Sequence, residues 1–263
     1  MDPGRPLPIS VCIIAGNEAR RIRRALESVA GWTSEIIIVL NHDVSDGTDQ
    51  IAESFGAKVF CEPWKGHIAQ KNSAVQKATQ DWILGLDADE VVSPKLRVEI
   101  QQLFVQEAKL ARFAAFSFPR LSWYCGCWIR HGDWYPDRQT RLWRRGRAKW
   151  GGIDPHDKLI VEGAAGKLRA DLHHFSSESI NRHLQKIIPF SDEFVQQHAT
   201  TGRRQGFLDL TARPFWRFLR AYVFRLGFLD GWPGYYIACY SAFSTLVRYM
   251  KLREARQRKE ETP

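Results

Sequence analysis

The sequence predicts an α/β protein with a mostly parallel, Rossmann-like sheet, and two observations carry that prediction. Between residues 9 and 90, short apolar runs alternate with segments of helical periodicity. Most of these runs end abruptly in acids or amides. Continuous apolar runs are typical of strands buried on both faces, and alternating strands and helices are joined by right-handed crossovers. We therefore expect helices on both faces of the sheet.

The elements follow one another in a regular order. The helix over residues 19–29 is the clearest, because its apolar residues recur every three or four positions. Asp46-Gly47 is a turn signal, and Thr48 can cap the helix after it. The predicted strands cover residues 9–15, 35–40, 57–61 and 82–87, and the predicted helices cover residues 19–29, 49–55 and 66–78.

Acids and amides follow three of these strands at their carboxyl ends. Glu18 follows the first strand, Asn41 and Asp43 follow the second, and Asp87 and Asp89 end the fourth. Because ligands of open α/β sheets bind beyond the carboxyl ends of the strands, we expect these side chains to converge on a nucleotide. Two carboxylates two residues apart can share Mg²⁺ or Mn²⁺, which completes its shell with phosphate oxygens.

The acidic stretch also has a simpler interpretation. Asp89 or Ser93 could cap a helix that begins at Pro94. Glycine-rich dinucleotide and P-loop motifs are absent from the sequence, so those two classes of nucleotide enzyme are not expected.

Composition and charge limit the class of protein. A chain of 263 residues with 44% hydrophobic and 25% charged residues is typical of a globular protein with one large domain, with or without an appendage. The excess of 38 Lys and Arg over 29 Asp and Glu gives a net charge of +9, which favours a nucleotide, a nucleic acid or an anionic membrane as partner. Five cysteines without framework spacing indicate a reducing compartment, and residues 1–8 lack an export signal.

The first hundred residues contain four motifs that can be compared with known families: Asn17-Glu18, Ser45-Asp46-Gly47-Thr48, Lys71-Asn72 and Leu86-Asp87-Ala88-Asp89-Glu90. In these motifs the chain resembles the inverting glycosyltransferases of family 2, which have the GT-A fold. By the family pattern, Glu18 would contact the nucleotide, Asp87 the ribose and diphosphate, and Asp89 the metal. Lys71 would also belong to the nucleotide-sugar site. The family usually has a base-reading aspartate after the second strand, where this chain has Asn41, with Asp43 two places on.

Two later segments, residues 123–145 and 225–231, resemble the lipopolysaccharide-core glucosyltransferases of Gram-negative bacteria. Both contain aromatic residues and arginines, and aromatic rings stack on sugars while guanidinium groups bind phosphate. We expect Trp134, Arg138 and Arg141 to contact the acceptor or its phosphate, although core packing is the alternative for the tryptophans. The resemblance implies a nucleotide-sugar donor, expected to be a UDP-sugar, and a glycolipid acceptor.

An inverting transfer requires a base that deprotonates the acceptor hydroxyl. The glycines and proline of residues 151–157 predict a shaped loop rather than a regular element. The related enzymes have His-Glu where this chain has His156-Asp157, so Asp157 is the candidate base and Asp154 the second choice. His156 would orient the donor phosphates or the acceptor, or would pack.

A predicted strand later in the chain ends in a pair of histidines, His173 and His174. Either could be a metal ligand, as in some GT-A enzymes. Adjacent strand residues point to opposite faces, so only one can reach the site. A hydrogen-bonded core histidine is the alternative for both.

The final third is helical and amphipathic. Residues 214–225 interleave large apolar groups with arginines at helical spacing, which is typical of a helix in an anionic membrane interface. Residues 231–234 are predicted to break the chain before a helix over residues 235–250 that is too short and too polar to span a bilayer. Packing on the catalytic domain, or a dimer interface, is the alternative.

These observations combine into one hypothesis. A catalytic domain, residues 1–178, would transfer a glucose-type sugar with the help of Mg²⁺ or Mn²⁺, and a helical segment, residues 179–263, would hold it on the cytoplasmic face of the membrane. The main alternative is a transferase of the same fold acting on polyprenyl phosphate or protein. A basic nucleic-acid-binding module also suits the +9 charge but leaves the acids at the strand ends unexplained.

Overall fold

The computed structural model describes residues 5–154, 156–175, 179–198 and 206–261, and the chain forms two compact units. The first unit contains residues 1–120 and 137–175, and the second contains residues 121–136 and 176–263. This division differs from a single cut after residue 178. Residues 121–136 belong to the second unit because Tyr124 and Ile129 share a buried apolar cluster with Ile237 of the last helix.

The order of elements alternates strand and helix in the first half and ends in helices. The strands are β1 (Leu7–Ala15), β2 (Thr33–Asn41), β3 (Lys58–Glu62), β4 (Trp82–Asp87), β5 (Glu90–Val92), β6 (Ala115–Tyr124), β7 (Cys127–Ile129), β8 (Asp137–Arg144), β9 (Ala148–Ile153), β10 (His156–Val161), β11 (Ala165–Lys167) and β12 (Leu172–Phe175). The helices are α1 (Ala19–Val29), α2 (Thr48–Ser54), α3 (His67–Gln76), α4 (Pro94–Val105), α5 (Glu107–Arg112), α6 (Ile180–Gln185), α7 (Ile187–His198), α8 (Phe207–Leu219) and α9 (Gly231–Glu261).

A mixed sheet in the order β3-β2-β1-β4-β8-β6-β12-β5 organises the first unit. β1 pairs in parallel with β2 and β4, and β2 pairs in parallel with β3. β8 then pairs antiparallel with β4 and β6. The α/β prediction, with four parallel strands separated by helices, is confirmed.

The apolar runs are continuous because both faces of the sheet are covered. Ile9, Val11 and Ile13 of β1 belong to one buried cluster, and Cys12 of the same strand belongs to a second. Successive strand residues point to opposite faces, so a strand covered on both sides has no polar alternation. Helix α1 buries its apolar stripe in the first cluster.

The helix after the acidic stretch is capped by serine rather than by aspartate. The hydroxyl of Ser93 accepts a hydrogen bond from the Leu96 amide at 3.1 Å, and Pro94 occupies the first turn. The side chain of Asp89 is thus not needed as a cap of this helix.

The prediction of an irregular loop at residues 151–157 is wrong. β9 and β10 form an antiparallel hairpin in which Asp157 pairs with Gly152. Gly152 is favoured in this hairpin because its backbone φ of 108° lies in the left-handed region that glycine adopts without strain. The glycines therefore lie within a strand, where glycine often marks a local irregularity of the backbone.

The second unit is built from helices. Helices α7 and α8 pack on α9, and a π-helical turn at residues 220–224 and a 3-10 turn at residues 227–230 join α8 to α9. The predicted break at residues 231–234 is wrong, because α9 runs without interruption from Gly231 to Glu261. Pro233 lies in its first turn, where the missing amide costs no helical hydrogen bond. Within the described residues, no helix has the length and apolarity needed to cross a membrane.

Candidate active site

The carboxyl ends of β1, β2 and β4 open onto a cavity of about 550 Å³. We call it the donor cavity. Glu18 reaches it from the turn after β1, Asn41 from the end of β2, and Asp87 and Asp89 from the end of β4. Its lining is Ile14, Ala15, Gly16, Glu18, Asn41, Trp64, His67, Lys71, Asp87, Ala88, Asp89, Asp157 and His174.

Most of the residues predicted to bind the nucleotide-sugar donor line this cavity. Asp43 is different: it is exposed and does not line the cavity. The Val44 amide donates to the Asn41 carbonyl at 3.2 Å, so the chain turns immediately after β2. Of the two residues proposed to read the base, only Asn41 therefore lies at the cavity.

Lys71 joins two of the predicted acids. Its ammonium lies 2.8 Å from a carboxylate oxygen of Asp87 and 2.9 Å from one of Asp157, although these residues come from β4 and β10. Lys71 is 9% exposed and lies over the Trp150 ring at 4.5 Å. Two carboxylates are therefore held at one wall of the cavity by a single buried cation.

Arg141 forms ion pairs with an acid of β4 and an acid of β5. Its guanidinium lies 2.5 Å from Asp87 and 2.9 Å from Glu90, whose side chain is completely buried. Burial alone would raise the pKa of Asp87, but Arg141 and Lys71 outweigh it and hold that pKa well below its usual value. The same carboxylates raise the pKa of Arg141, against the effect of burial.

We expect Arg141→Met to destabilise the protein by about 3–5 kcal/mol, because one partner of a buried ion pair would be removed and the acids left behind. For a chain of this size, that corresponds to a fall in melting temperature of roughly 10 °C. Differential scanning calorimetry measures it. Arg145→Met is the matched control, because Arg145 is exposed just beyond β8. Equal melting temperatures for the two variants would contradict this account.

A second cavity of about 550 Å³ shares a wall with the donor cavity. We call it the basic cavity. Lys71, Asp87 and Asp157 line both cavities, so these three side chains form the shared wall. The other lining residues of the basic cavity are Arg120, Arg138, Gln139, Thr140, Arg141, Trp150, Lys158 and Leu159.

The two arginines predicted to bind phosphate line the basic cavity but already have partners. Arg141 is 4% exposed and committed to Asp87 and Glu90. Arg138 is exposed and donates to the carbonyls of Ser117 and Leu168, at 3.0 and 2.6 Å. Arg138 is therefore the more accessible of the two to a ligand.

Asp89 faces the donor cavity in a different environment from Asp87. His174 Nε2 lies 3.5 Å from an oxygen of Asp89, and Arg21 lies 3.9 Å from the same oxygen. Glu18 pairs with Arg21 at 2.7 Å, and burial raises the pKa of Glu18, with Asp89 adding to that rise. Glu18 and Asp89 thus bring two acidic groups together at one part of the donor cavity.

This environment fits a divalent cation that takes few ligands from the protein. Across the described chain, no group of three or more His, Cys, Asp and Glu side chains is arranged to hold a metal. Asp89 and His174 form a carboxylate-imidazole pair at the cavity, and Mg²⁺ or Mn²⁺ commonly combines one or two protein ligands with water and substrate phosphates. Both oxygens of Asp87 already face cations, so Asp87 is less suited to this role.

The two candidate bases have different surroundings. Asp154 accepts a hydrogen bond from the Ile68 amide at 3.0 Å, so it caps the start of α3. Asp157 lies in the shared wall of the two cavities. The side chain of His156 lies outside the described part of the structure. Trp134 belongs to the second unit, where it lines a different cavity.

Sequence reasoning missed several residues of the site. Trp150 lies under both Lys71 and Arg141, with cation-to-ring distances of 4.5 and 5.4 Å. Arg120 lies 3.2 Å from Glu90. A lone tryptophan or arginine in a strand carries no local signal of such a role, whereas Glu90 could have been suspected because a third acid follows Asp87 and Asp89.

Comparison with known proteins decides the family. The family model for glycosyl transferase family 2 matches residues 10–160, more than half of the chain. The chain belongs to glycosyltransferase family 2. This glycosyltransferase is 31% identical over 261 residues to an uncharacterized glycosyltransferase of Rickettsia prowazekii, covering 94% of this chain and 87% of the relative. The predicted family is thus confirmed.

Two further similarities are more distant. This glycosyltransferase is 28% identical over 233 residues to the lipopolysaccharide core biosynthesis glycosyltransferase LpsC of Rhizobium meliloti, covering 84% of this chain and 82% of LpsC. Among solved structures it is similar to residues 1–349 of TarS from S. aureus in complex with UDP, with 13% identity, a TM-score of 0.49, and 97% and 93% of the two chains covered.

Proposed function

We propose that this glycosyltransferase is an inverting, metal-assisted enzyme that moves a sugar from a UDP-sugar to a glycolipid acceptor. One observation carries the proposal: Asp157 lies in the wall shared by the donor cavity and the basic cavity. A carboxylate at that position can contact an acceptor hydroxyl in one cavity beside the anomeric carbon of a donor in the other. Direct displacement with inversion requires this placement of the base.

The donor cavity suits a pyrimidine nucleotide. The side-chain oxygen of Asn41 is buried and accepts no hydrogen bond from the described residues, so it can accept one from the N–H of a uracil ring. Trp64, 47% exposed, offers an aromatic face next to His67. Asp89, with His174 beside it, would hold Mg²⁺ or Mn²⁺. When bound, the metal would stabilise the negative charge that develops on the departing diphosphate.

Lys71 and Asp157 of the shared wall have different roles in the proposed reaction. Lys71 holds Asp87 and Asp157 in place through ion pairs of 2.8 and 2.9 Å. Asp157 takes the proton of the acceptor hydroxyl as the oxygen attacks the anomeric carbon from the side opposite the nucleotide. The bond between that carbon and the diphosphate oxygen breaks, and its electron pair leaves with UDP.

The proposed acceptor is a lipopolysaccharide core or a similar glycolipid. Its support is the similarity to LpsC, whose name assigns that protein to lipopolysaccharide core biosynthesis. Arg120 and Arg138 in the basic cavity would meet the anionic groups of such an acceptor. We place the enzyme on the inner face of the membrane, supported by exposed apolar side chains along α8. The alternative is a polyprenyl phosphate or a protein as acceptor. Transfer assays with each class of acceptor and one donor distinguish these from a glycolipid.

A donor screen tests the nucleotide part of the proposal. We expect UDP and UDP-sugars, at about 100 times their Kd with Mn²⁺, to stabilise the protein by about 2.7 kcal/mol, because they bind only the folded state. Thermal melts with UDP-, GDP- and ADP-sugars, each with Mn²⁺ and with EDTA, measure it. The shift should be largest for UDP compounds and should shrink in EDTA. A GDP- or ADP-sugar that shifts the melt more than any UDP-sugar would refute the choice of base.

A further inference from the structure

The second unit contains a cavity of its own, of about 660 Å³, which the proposed reaction does not use. Its walls come from α6, α7, α8, the π-helical turn and α9. Five cationic residues line it, and no Asp or Glu is found among the described residues of its lining. The cationic residues are Lys186, Arg213, Arg217, Arg220 and Arg248.

Two acids of the described residues pair with part of this charge, Asp209 with Arg213 at 2.5 Å and Asp133 with a cluster of arginines. Asp133 is surrounded by Arg217, Arg220 and Arg225, at 3.0, 3.1 and 3.2 Å. The pKa of Arg217 is lowered, first by burial and then by Arg220 and neighbouring arginines, in spite of the opposing effect of Asp133. Positive charge therefore remains in excess around the cavity, and an anion would relieve the repulsion.

One of these cations has an unused hydrogen-bond donor. The Nε–H of Arg248 is buried and has no hydrogen-bond partner within the described part of the chain. Buried donors are nearly always paired, so an orphan in a cationic cavity indicates a missing acceptor. The hydroxyl-bearing residues Ser241 and Ser244 line the cavity from the same helix.

The rest of the wall is aromatic. His183 stacks on Tyr240 with ring centroids 3.6 Å apart, and Trp134 lies against His183 at 5.3 Å. Trp216, 55% exposed, contacts the exposed Phe224 at 5.5 Å, so the cavity adjoins an apolar surface. Cations, hydroxyls and aromatic rings together suit a phosphate group attached to a sugar or to another polar headgroup.

We propose that this cavity is a phosphate-ester binding site, independent of the donor site, in which Arg248 and Arg217 bind the phosphate and the aromatic wall contacts the group that carries it. The inference goes beyond the proposed function and does not require it, since every residue involved belongs to the second unit. The phosphate can come from a lipid headgroup or from a soluble phosphorylated sugar.

The test is isothermal titration of the full chain with inorganic pyrophosphate in EDTA, which removes metal-dependent binding at the donor site. We expect Arg248→Gln to raise Kd about tenfold or more, because a charge-assisted hydrogen bond is lost. Arg248→Lys keeps the charge and should give a smaller loss, and circular dichroism verifies that both variants fold. Arg253→Gln is the matched control, since Arg253 is exposed on the same helix and does not line the cavity.

Equal affinity of the wild type and Arg248→Gln, or equal losses in Arg248→Gln and Arg253→Gln, would overturn the proposal. Asp89 does not line this cavity, so Asp89→Ala should bind pyrophosphate in EDTA with the same Kd as the wild type. The titration therefore tests this site even if the proposed transferase mechanism fails. Flotation with phosphatidylcholine vesicles, with and without phosphatidic acid, identifies the source of the phosphate. Vesicle binding that depends on phosphatidic acid and on Arg248 assigns the site to a lipid headgroup, whereas pyrophosphate binding alone assigns it to a soluble phosphate.

Discussion

Asp89→Ala is expected to lower kcat/KM by about 10³-fold or more while the protein remains folded. Asp89 is the carboxylate proposed to hold the metal, and metal stabilisation of developing charge contributes several kcal/mol, with each 1.36 kcal/mol worth a factor of ten in rate. The fold should survive because Asp89 is partly exposed and Ser93, not Asp89, caps α4. Transfer from a UDP-sugar with Mn²⁺, followed as UDP release, measures the effect.

The control for this variant is Asp81→Ala. Asp81 is an exposed aspartate immediately before β4, at the opposite end of the strand from Asp89. Each variant loses one negative charge. A difference in kcat/KM between them therefore reports the role of Asp89 at the donor cavity. Near-normal turnover in Asp89→Ala would remove the metal role from this residue, and an equal loss in Asp81→Ala would show that the effect is not local.

Asp157→Asn is expected to lower kcat by about 10²–10⁴-fold, the usual contribution of a general base, with little effect on donor binding. The amide cannot accept the hydroxyl proton, and Asp87 continues to hold Lys71 at 2.8 Å in the shared wall. Single-turnover kinetics give the rate of transfer, and a UDP titration gives the donor affinity.

Asp154→Asn provides the comparison for Asp157. Because the asparagine oxygen can still accept the hydrogen bond from the Ile68 amide at the start of α3, this variant should leave both stability and turnover per folded molecule nearly unchanged. A large fall in turnover in Asp154→Asn, with none in Asp157→Asn, would transfer the role of base to Asp154.

The acids and amides at the strand ends could be assigned to one site from the sequence, because each is recognised from the apolar run just before it. Glu18, Asn41, Asp87 and Asp89 each follow an apolar run, and parallel strands place their carboxyl ends at the same edge. Asp43 shows the limit of this reasoning. It lies two residues beyond Asn41, but the turn after β2 leaves it exposed, outside the cavity lining.

Arg141 and residues 151–157 show where periodicity was insufficient. Arg141 has no local feature that distinguishes a buried partner of Asp87 and Glu90 from a free phosphate-binding arginine. The glycines at 151 and 152 have the composition of a loop, yet they lie in a hairpin in which Gly152 pairs with Asp157 of β10. Both facts depend on a neighbour from another strand.

The sequence by itself determined the alternation of strands and helices, the acids at the strand ends and the glycosyltransferase family, because each depends on residues close together in the chain. The tertiary structure decided the state of those acids: Asp87 is neutralised by Lys71 and Arg141, whereas Asp89 faces the cavity beside His174. Coulomb energy and hydrogen bonding depend on separations of a few ångströms. Side chains on different elements, such as Arg141 and Asp87, reach such separations only after the chain has folded.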